Sequence, residues 1–315
     1  MRGFLNIDKP VGMTSFDVVR WIRRSARTKR VGHGGTLDPA ATGVLPIAVG
    51  EATRFVDELL DSSMGWGKRY RAEVLLGRET DTYDLDGATT AQRDASGVTR
   101  AAVEAALPAF LGEIMQVPPA YSAIKRGGVP AYRAARRGDP LALEARPVVV
   151  YSVDLLAFTP GEEARVTFDV ACGSGFYVRS FASDLGAALG VGGTLAALRR
   201  TRVGPFAVED ATPLQQACTM LEAGATERLL HAPDVVLTRL PAIIVAGGDE
   251  ARLRQGLDLA VAPREAFRTP FESPQTPPRA RCYGPSGHLV AVLEASGAAG
   301  IWHPRRVLTV EGHER

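Results

Sequence analysis

The hydrophobic and polar residues of this chain alternate in several segments with the period of a β-strand. In residues 69–76, Tyr70, Ala72 and Val74 fall on one face, and charged residues occupy the positions between them. Strict alternation of this kind predicts a strand with one buried face. The strands predicted from apolar runs and alternation are 4–7, 69–76, 147–158 and 164–171.

Other segments have the period of an α-helix. Val18, Val19 and Ile22 recur on one face, and Ser15 precedes them as a candidate N-cap. The predicted helices are 16–27, 100–113 and 176–189. Helices and strands mix without a regular strand–helix–strand repeat, which favours an α/β or α+β fold with a mixed, largely antiparallel sheet.

A boundary is expected near residues 232–241, where the sequence APDVVLTRLP holds two prolines. We therefore expect one domain at 1–235 and a smaller, β-rich domain at 236–315. Within the second domain, RCY, GPSG and HLVAVLEA follow one another and predict a hairpin at 281–295. The proline-rich segment 263–279 is expected to be an exposed loop.

Composition is that of an ordinary globular chain. Its 315 residues are 45% hydrophobic and 23% charged, with a net charge of +2, so a core of normal size is expected. Cys172, Cys218 and Cys282 form no closely spaced pair, which excludes a zinc ribbon or a disulfide framework. The first residues lack the apolar stretch of a signal peptide, and no apolar run is long enough to span a membrane. We expect a cytoplasmic protein.

Positive charge is concentrated in three clusters. Such clusters are typical of phosphate-binding surfaces, although a solvated surface is the alternative for each of them. Four members of the first cluster, Arg20, Arg23, Arg24 and Arg27, form a stripe on the predicted helix 16–27, opposite its apolar face. The clusters are Arg20, Arg23, Arg24, Arg27, Lys29 and Arg30; Lys125, Arg126, Arg133, Arg136 and Arg137; and Arg199, Arg200 and Arg202.

The segment GHGGTLDPAATG at 32–43 carries the strongest candidate for chemistry. Its one carboxylate, Asp38, has glycines on both sides and Pro39 directly after it. Proline pushes the preceding residue toward an extended backbone, and glycine allows tight turns and close approach of another molecule. A stiff loop that presents one acid is a candidate active site. Aspartate before proline is also a common helix start, so an N-cap role for Asp38 is the alternative.

A longer stretch around Asp38 resembles the catalytic motif of bacterial tRNA pseudouridine-55 synthases, the TruB family. Further blocks resemble the same family in the same order, so the resemblance spans residues 4–206 and continues more weakly to the C-terminus. The blocks are LNIDKPVGMTS (5–15), GHGGTLDPAATGVLPIAVGEATR (32–54), KRYRAEVLLGRETDTYDLDG (68–87), VPPAYSAIK (117–125), GSGFYVRSFASDLG (173–186) and LRRTRVGPF (198–206). The ending GIWHPRRVL resembles the last strand of a PUA domain, a small RNA-binding β-barrel. The resemblance implies a pseudouridine synthase fold followed by a PUA domain.

The resemblance also implies roles for individual residues. Asp38 is implied to be the catalytic carboxylate, and Arg179 to be the arginine that pairs with it. Tyr70 is implied to stack on a flipped uracil, and Tyr177 and Leu198 to line the uracil pocket. Without the resemblance, Tyr70, Tyr177 and Leu198 would be ordinary strand or core residues, and Arg179 a surface arginine at a helix start.

Two more residues are grouped with the substrate-binding set by the same resemblance. His33 is implied to contact RNA near the flipped base, and Lys9 to support the active-site loop; from sequence alone, His33 is equally well explained as structural. The implied reaction needs no cofactor and no metal, since isomerisation moves no electrons or groups in or out. The implied partner is tRNA, through its T-stem-loop, with no protein partner and a monomeric enzyme.

Other functions remain open at the level of sequence. One is a guide-RNA-dependent relative of the same family, and another is an RNA-binding or RNA-folding protein. A third is a glycoside hydrolase that uses Asp38 and Asp84 as its pair of carboxylates. Two segments depart from the family pattern, namely 64–67, which precedes Tyr70 and is expected to affect how the flipped base is covered, and the proline-rich 263–279.

Overall fold

The computed structural model describes most of the chain. The described residues are 1–61, 64–122, 124–126, 129–137, 141–260, 266–267, 278–296 and 300–308, with the backbone alone at 125–126, 129–130, 132, 136 and 266–267. The α-helices are α1 (Ser15–Ser25), α2 (Val56–Leu60), α3 (Arg100–Ala106), α4 (Ala131–Arg136), α5 (Val178–Ala188), α6 (Leu214–Glu222) and α7 (Gly247–Arg254). Short 3-10 helices cover Gly50–Phe55, Leu107–Phe110, Val208–Asp210, Thr226–Arg228 and Pro233–Leu237.

The strands are numbered in chain order. They are β1 (Gly3–Lys9), β2 (Val31–His33), β3 (Thr42–Val49), β4 (Lys68–Leu76), β5 (Arg78–Thr80), β6 (Thr89–Gln92), β7 (Gly112–Gln116), β8 (Lys125–Arg126), β9 (Val129–Pro130), β10 (Arg146–Thr159), β11 (Arg165–Cys172), β12 (Gly193–Val203), β13 (Phe206–Ala207), β14 (Thr212–Pro213), β15 (Leu230–His231), β16 (Ala242–Ile244), β17 (Leu259–Ala260), β18 (Ala266–Phe267), β19 (Arg279–Tyr283), β20 (Leu289–Ala295) and β21 (Ile301–Val307).

A mixed sheet of eleven strands carries most of the chain. Its order is β14–β1–β3–β12–β4–β11–β10–β7, and β2, β13 and β15 pair with β3, β12 and β1. The pairs β1–β14 and β3–β12 are parallel, whereas the others are antiparallel. The predicted mixed, largely antiparallel sheet is confirmed, as are the four predicted strands, which correspond to β1, β4, β10 and β11.

Helix α1 forms where its apolar period predicts it, but its N-cap is not Ser15. The Thr14 hydroxyl accepts a hydrogen bond from the Asp17 N–H at 3.0 Å, and the Asp17 carboxylate accepts one from the Thr14 N–H at 2.9 Å. This reciprocal pair is a capping box. The prediction for Ser15 is wrong because its hydroxyl bonds instead to the backbone of Leu37, at 2.8 Å from the N–H and 3.1 Å from the carbonyl.

The helix predicted at 100–113 is too long. Helix α3 ends at Ala106 and passes into a 3-10 turn that contains Pro108, since proline cannot supply the N–H that an α-helix needs. Gly112, at φ +81°, then turns the chain into β7. The prediction at 176–189 is confirmed, because α5 covers Val178–Ala188.

A second mixed sheet forms the C-terminal part. Its order is β17–β21–β20–β19–β16–β18, and the antiparallel pair β19–β20 is the predicted hairpin. Most of the proline-rich segment 263–279 lies outside the described residues, but β18 within it pairs with β16. A sheet of this kind is consistent with the small PUA barrel that the resemblance implies.

The two sheets share an apolar core across the predicted boundary. Phe4, Val203 and Phe206 of the main sheet pack in one cluster with Leu289 and Val292 of β20. An ion pair also joins the two parts, because Arg279 on β19 contacts Glu58 on α2 and both side chains are buried. The division at 1–235 and 236–315 stays a prediction, and the two parts are not independent in their packing.

Candidate active site

Asp38 lies in a turn between two strands. Residues 34–41 connect β2 to β3, and the Ala41 N–H donates to the Asp38 carbonyl at 3.1 Å. This bond closes a four-residue turn with Pro39 at its second position. No helix follows Asp38, so the capping role considered as the alternative is wrong. The Asp38 side chain is 44% exposed, and the loop therefore presents it to a ligand.

The Asp38 carboxylate is held by a buried arginine. Nη2 of Arg179 lies 3.0 Å from Oδ2 of Asp38, and the arginine side chain is only 7% exposed. The same guanidinium donates to the backbone carbonyls of Tyr121 at 2.8 Å and Thr82 at 3.1 Å. A guanidinium makes several fixed bonds at once and does not lose its charge. Arg179 therefore fixes both the direction and the position of the Asp38 side chain.

A second carboxylate, Asp84, contacts the same arginine. Nη1 of Arg179 lies 3.6 Å from Oδ2 of Asp84, and the Thr82 hydroxyl donates to Asp84 at 2.6 Å. Burial raises the pKa of Asp84, against the opposing effects of Thr82 and Arg179. A glycoside hydrolase needs its two carboxyl groups on either side of a sugar. Because one guanidinium bridges Asp38 and Asp84 here, the arrangement does not favour that alternative.

Asp38 opens onto a cavity of about 240 Å³. The cavity brings together five of the seven residues that the sequence predicted for the site. They are Asp38, Tyr70, Tyr177, Arg179 and Leu198. The rest of its wall is formed by Thr36, Leu37, Lys68, Tyr121, Ser122, Gly175, Phe176 and Val178. A cavity that combines apolar and aromatic side chains with a few convergent polar groups is a typical small-ligand site.

The phenol of Tyr70 lies deep in this cavity. The residue is 7% exposed, and burial raises its pKa to about 12 despite the nearby charge of Arg200. Tyr70 sits on the apolar face of β4, as the alternation predicts, with Ala72 and Val74 further along the same face. It is therefore a neutral aromatic group that can offer both a ring face and a hydroxyl.

Tyr177 is fixed by its backbone at the entrance to α5. Its N–H donates to Oε1 of Gln116 at 2.8 Å, and its carbonyl accepts from Nε2 of Gln116 at 3.1 Å. Burial raises the pKa of the Tyr177 hydroxyl, against a hydrogen bond with Ser122. Gln116 is almost fully buried. Sequence reasoning missed it, because nothing in the sequence indicates that the side-chain amide of a single glutamine at a strand end bonds to both backbone groups of another residue.

Lys9 and His33 do not belong to the wall of this cavity. Lys9 is fully buried, and its Nζ donates to the carbonyls of Met13 at 2.6 Å, Pro10 at 2.9 Å and Pro39 at 3.3 Å. The structure thus places Lys9 beneath the Asp38 loop, where it supports the backbone. Burial lowers the pKa of His33, which lies on β2 in the strand that leads into the loop.

Arg200 is a second buried arginine, and sequence reasoning missed its position. It is fully buried, and it donates to the carbonyls of Gly35 at 3.0 Å, Thr36 at 3.2 Å and Val44 at 2.8 Å. These acceptors lie on both sides of Asp38, so Arg200 ties the two ends of the loop together. The available signal was alternation on β12, which puts Arg200 on the same face as the cavity residue Leu198.

The predicted phosphate-binding clusters are only partly free for that role. In the third cluster Arg200 is buried and Arg199 forms a two-bond ion pair with Asp8, at 2.8 and 3.1 Å. The prediction is wrong for Arg200, which is buried, whereas Arg199 is partly exposed and its role stays a prediction; Arg202 is exposed. In the second cluster, Lys125, Arg126 and Arg136 have side chains outside the described part.

The segment 64–67 packs away from the cavity. The indole N–H of Trp66 donates to the carbonyl of Val236 at 3.0 Å, and the Arg239 guanidinium lies 4.5 Å from the ring centre. Met64 is buried. The expectation that this segment covers the flipped base is therefore not supported, and the segment instead braces the start of the C-terminal part.

Neither a metal cluster nor a membrane-spanning helix occurs among the described residues. No group of three or more His, Cys, Asp or Glu side chains in that part of the chain is arranged to hold a metal ion. No helix within the same described ranges is both long and apolar enough to cross a membrane.

Comparison with known proteins identifies the family of this chain. Two family models match the chain, "TruB family pseudouridylate synthase (N terminal domain)" over 23–178 and "tRNA pseudouridylate synthase B C-terminal domain" over 179–237. The tRNA pseudouridine synthase B of Synechococcus elongatus is 43% identical, covering 97% of this chain and 98% of the relative. That of Dehalococcoides mccartyi is 38% identical, covering 98% and 96%.

Solved structures show the same fold. An H/ACA ribonucleoprotein bound to a substrate RNA containing 2′-deoxyuridine matches with a TM-score of 0.72 at 26% identity, over 98% of this chain and 86% of the other. A Cbf5–Nop10–Gar1 complex matches with a TM-score of 0.71 at 28% identity, over 97% and 84%. The identity to full-length relatives decides the classification, and this chain belongs to the TruB family of pseudouridylate synthases.

Proposed function

We propose that this chain isomerises the T-loop uridine at position 55 of tRNA to pseudouridine, with Asp38 as the reacting carboxylate. The observation that carries the proposal is the pair of Asp38 and Arg179, a partly exposed acid fixed at 3.0 Å by a buried guanidinium on the wall of the cavity. The substrate follows from the relatives that match nearly the whole chain, which are named as tRNA pseudouridine synthases.

The reaction needs one well-placed acid–base or nucleophilic group. The bond between N1 of uracil and C1′ of ribose breaks, a bond between C5 and C1′ forms, C5 loses a proton and N1 gains one. Atoms and electrons balance within the nucleotide, so no oxidant or reductant takes part. A carboxylate that can act in turn as nucleophile, base and acid meets the requirement. Asp38 has the position and exposure for this role.

The cavity is suited to a single flipped base. A uridine inside a folded RNA loop must leave its stack before its sugar bond can be reached, and enzymes hold such bases against aromatic faces. Tyr70 supplies a buried ring and Leu198 an apolar surface in the same cavity, while Tyr177 stands at its rim. We assign these residues to binding of the target uracil, His33 to contact with RNA near the flipped base, and Lys9 to support of the Asp38 loop.

The RNA-binding surface is assigned to two regions. The exposed arginines Arg20 and Arg24 lie on α1 and Arg27 just after it, with β2 between them and the Asp38 loop, and we assign them to phosphates of the T-stem. The domain at 236–315 is assigned as a PUA domain that adds contacts to full-length tRNA, while 1–235 holds the chemistry. A tRNA substrate supports the expected location in the cytoplasm.

A guide-RNA particle is the competing assignment within the family. The Nop10–Cbf5 and Cbf5–Nop10–Gar1 structures that share this fold contain further proteins. The full-length match to Synechococcus and Dehalococcoides tRNA pseudouridine synthase B favours tRNA as the substrate over a guide-RNA particle. We therefore assign activity to the monomer without a protein partner.

The test is incubation of the purified chain alone with an unmodified tRNA transcript, followed by mapping of pseudouridine at each uridine. The proposal expects modification at position 55 only. A transcript with cytidine at position 55 is the matched control and should stay unmodified. Modification elsewhere, or activity only after a guide RNA is added, contradicts the assigned substrate.

A further inference from the structure

Lys68 places a positive charge on the wall of the cavity that holds Asp38. It precedes Tyr70 by two residues on β4, so the two side chains leave the strand on the same face, and both line the cavity. Among the residues that the structure describes, the Lys68 ammonium has neither a hydrogen-bond acceptor nor a carboxylate in ion-pair range. The side chain is partly buried.

The surroundings of Lys68 make its positive charge energetically unfavourable. Its charged neighbour is the buried guanidinium of Arg200 on β12, and burial and this like charge lower the pKa of Lys68. The thiol of Cys172 on β11 faces it as well, but burial raises the pKa of that thiol to about 12, so it is neutral. Tyr70 on its own strand is neutral for the same reason. A desolvated cation without an anion is unfavourable until a ligand supplies the missing charge.

The isomerisation supplies such a charge for part of its course. When N1 and C1′ separate, the bonding electrons stay with the ring, and the negative charge spreads over N1, the two carbonyl oxygens and C5. The electron pair at C5 then forms the new bond to C1′, the C5 proton leaves, and N1 takes up a proton. The ring is therefore most negative while it is detached from the sugar.

We propose that Lys68 is a catalytic residue of this reaction, whose ammonium binds a carbonyl oxygen of the flipped uracil and stabilises the negative charge on the detached ring. The inference rests on the proposed isomerase function. The contact is weak to the neutral ring of bound uridine and strong to the anion, which is the condition for raising the rate rather than the affinity. Because Lys68 lies beside Tyr70 inside the cavity, its ammonium is better placed to contact the uracil ring than the phosphates of the RNA backbone.

The test compares single-turnover rate constants at saturating T-stem-loop RNA for the wild type and three variants. Lys68→Met keeps the aliphatic length and removes the charge, while Lys68→Arg keeps a charge. Arg71→Met is the control, since it removes a charge from the same strand on the opposite, exposed face. The dissociation constant for the same RNA is measured for each protein by filter binding.

We expect Lys68→Met to lower the rate constant by about 10²-fold, the usual loss when one donor to a developing anion is removed. The dissociation constant should stay within about threefold of wild type, and Lys68→Arg should recover at least about a tenth of the rate. Arg71→Met should match the wild type in both measurements.

Several results would overturn the proposal. A normal rate in Lys68→Met contradicts it, and so does weakened RNA binding with a normal rate, which would make Lys68 a phosphate contact. If Lys68→Met does not fold, Lys68→Gln replaces it and should still lose at least about tenfold, because the amide donates a hydrogen bond without charge. If the wild-type protein forms no pseudouridine, both the proposed function and this inference are contradicted. If the wild type is active and Lys68→Met has the same rate constant, only the inference is contradicted.

Discussion

The guanidinium of Arg179 lies 3.0 Å from the carboxylate of Asp38 and is itself almost fully buried. It reaches Asp38 from α5, while Asp38 stands in the loop between β2 and β3, so the contact joins two distant parts of the chain. The other contacts of the guanidinium, to Thr82, Tyr121 and Asp84, fix its plane. The geometry of the Asp38 carboxylate therefore depends on all the contacts of the Arg179 guanidinium.

Replacement of Arg179 by lysine should uncouple binding from chemistry. A lysine keeps the charge but cannot span the acceptors that the fork reaches. We expect the single-turnover rate constant to fall by about 10²-fold, because misplacement of a reacting group costs that much, while RNA affinity changes little. Arg165→Lys, on an exposed arginine that pairs with Glu73, is the control. A normal rate in Arg179→Lys would show that charge alone suffices.

Two substitutions of Tyr70 should separate its ring from its hydroxyl. Tyr70→Phe keeps the stacking face, whereas Tyr70→Leu removes it, and stacking of a base is worth roughly 1–3 kcal/mol. We expect Phe to retain most of the RNA affinity and Leu to lose it, as measured by equilibrium binding of the T-stem-loop. If the hydroxyl takes part in proton transfer, Phe will also lose turnover. Wild-type affinity and turnover in Tyr70→Leu would exclude both roles.

Lys9 should make the stability of the protein depend on alkaline pH. Burial lowers the pKa of Lys9 from 10.5 to about 8, so between these values the unfolded chain binds a proton that the folded chain has released. The free energy of unfolding must then rise with pH in this window. We expect the wild type to gain about 2 kcal/mol more than Lys9→Met between about pH 7 and 9.5. Denaturant titrations of both proteins at the two pH values measure this difference. An equal change in the free energy of unfolding of the wild type and of Lys9→Met would contradict it.

The arginines of α1 should contribute to RNA affinity through charge. Arg20 and Arg24 on α1 and Arg27 just after it are exposed, whereas Arg23 donates to the Val31 carbonyl at 3.0 Å and is partly buried. Replacing the three exposed arginines by alanine should reduce the slope of log affinity against log salt by about 0.7–0.9 for each phosphate that the variant no longer neutralises.

The control for this variant removes three arginines elsewhere, each of which pairs with a glutamate. Arg78, Arg93 and Arg165 lie outside the basic cluster at 20–30, so their replacement by alanine removes the same amount of charge and should leave the slope unchanged if that cluster holds the phosphate contacts. Equal slopes for the wild type and the α1 variant would mean that the stripe faces solvent in the complex.

The alternating strands were predictable from the sequence because period-two patterns are local. Tyr70 falls on the buried face of β4 in both the prediction and the structure. The assignment of Asp38 to a turn was not predictable from its spacing, since aspartate before proline fits a helix start equally well. Tertiary contacts determine that this segment forms a turn, since Lys9 bonds to Pro39 and Ser15 bonds to Leu37.

The role of Arg200 could not be predicted from composition. Three arginines within four residues look like a surface patch. Alternation puts Arg200 on the same face as Leu198, but only the pairing of β12 with β3 and β4 shows that this face is buried at Arg200. Gly43, at φ +99°, makes this pairing possible, because a Cβ there would lie 2.2 Å from the Arg200 carbonyl oxygen. Local patterns do not report which strands come together, and buried charges depend on that.

The central claim is that Asp38 reacts with a tRNA uridine, and Asp38→Asn tests it most directly. Asparagine keeps the shape of the side chain and its place beside Arg179 but loses the nucleophilic and basic oxygen. Pseudouridine formation at position 55 is measured under single-turnover conditions, together with the dissociation constant for the same tRNA. The account predicts no detectable product with RNA binding largely intact. A rate constant within about tenfold of wild type, which corresponds to less than about 1.4 kcal/mol of barrier, would contradict it.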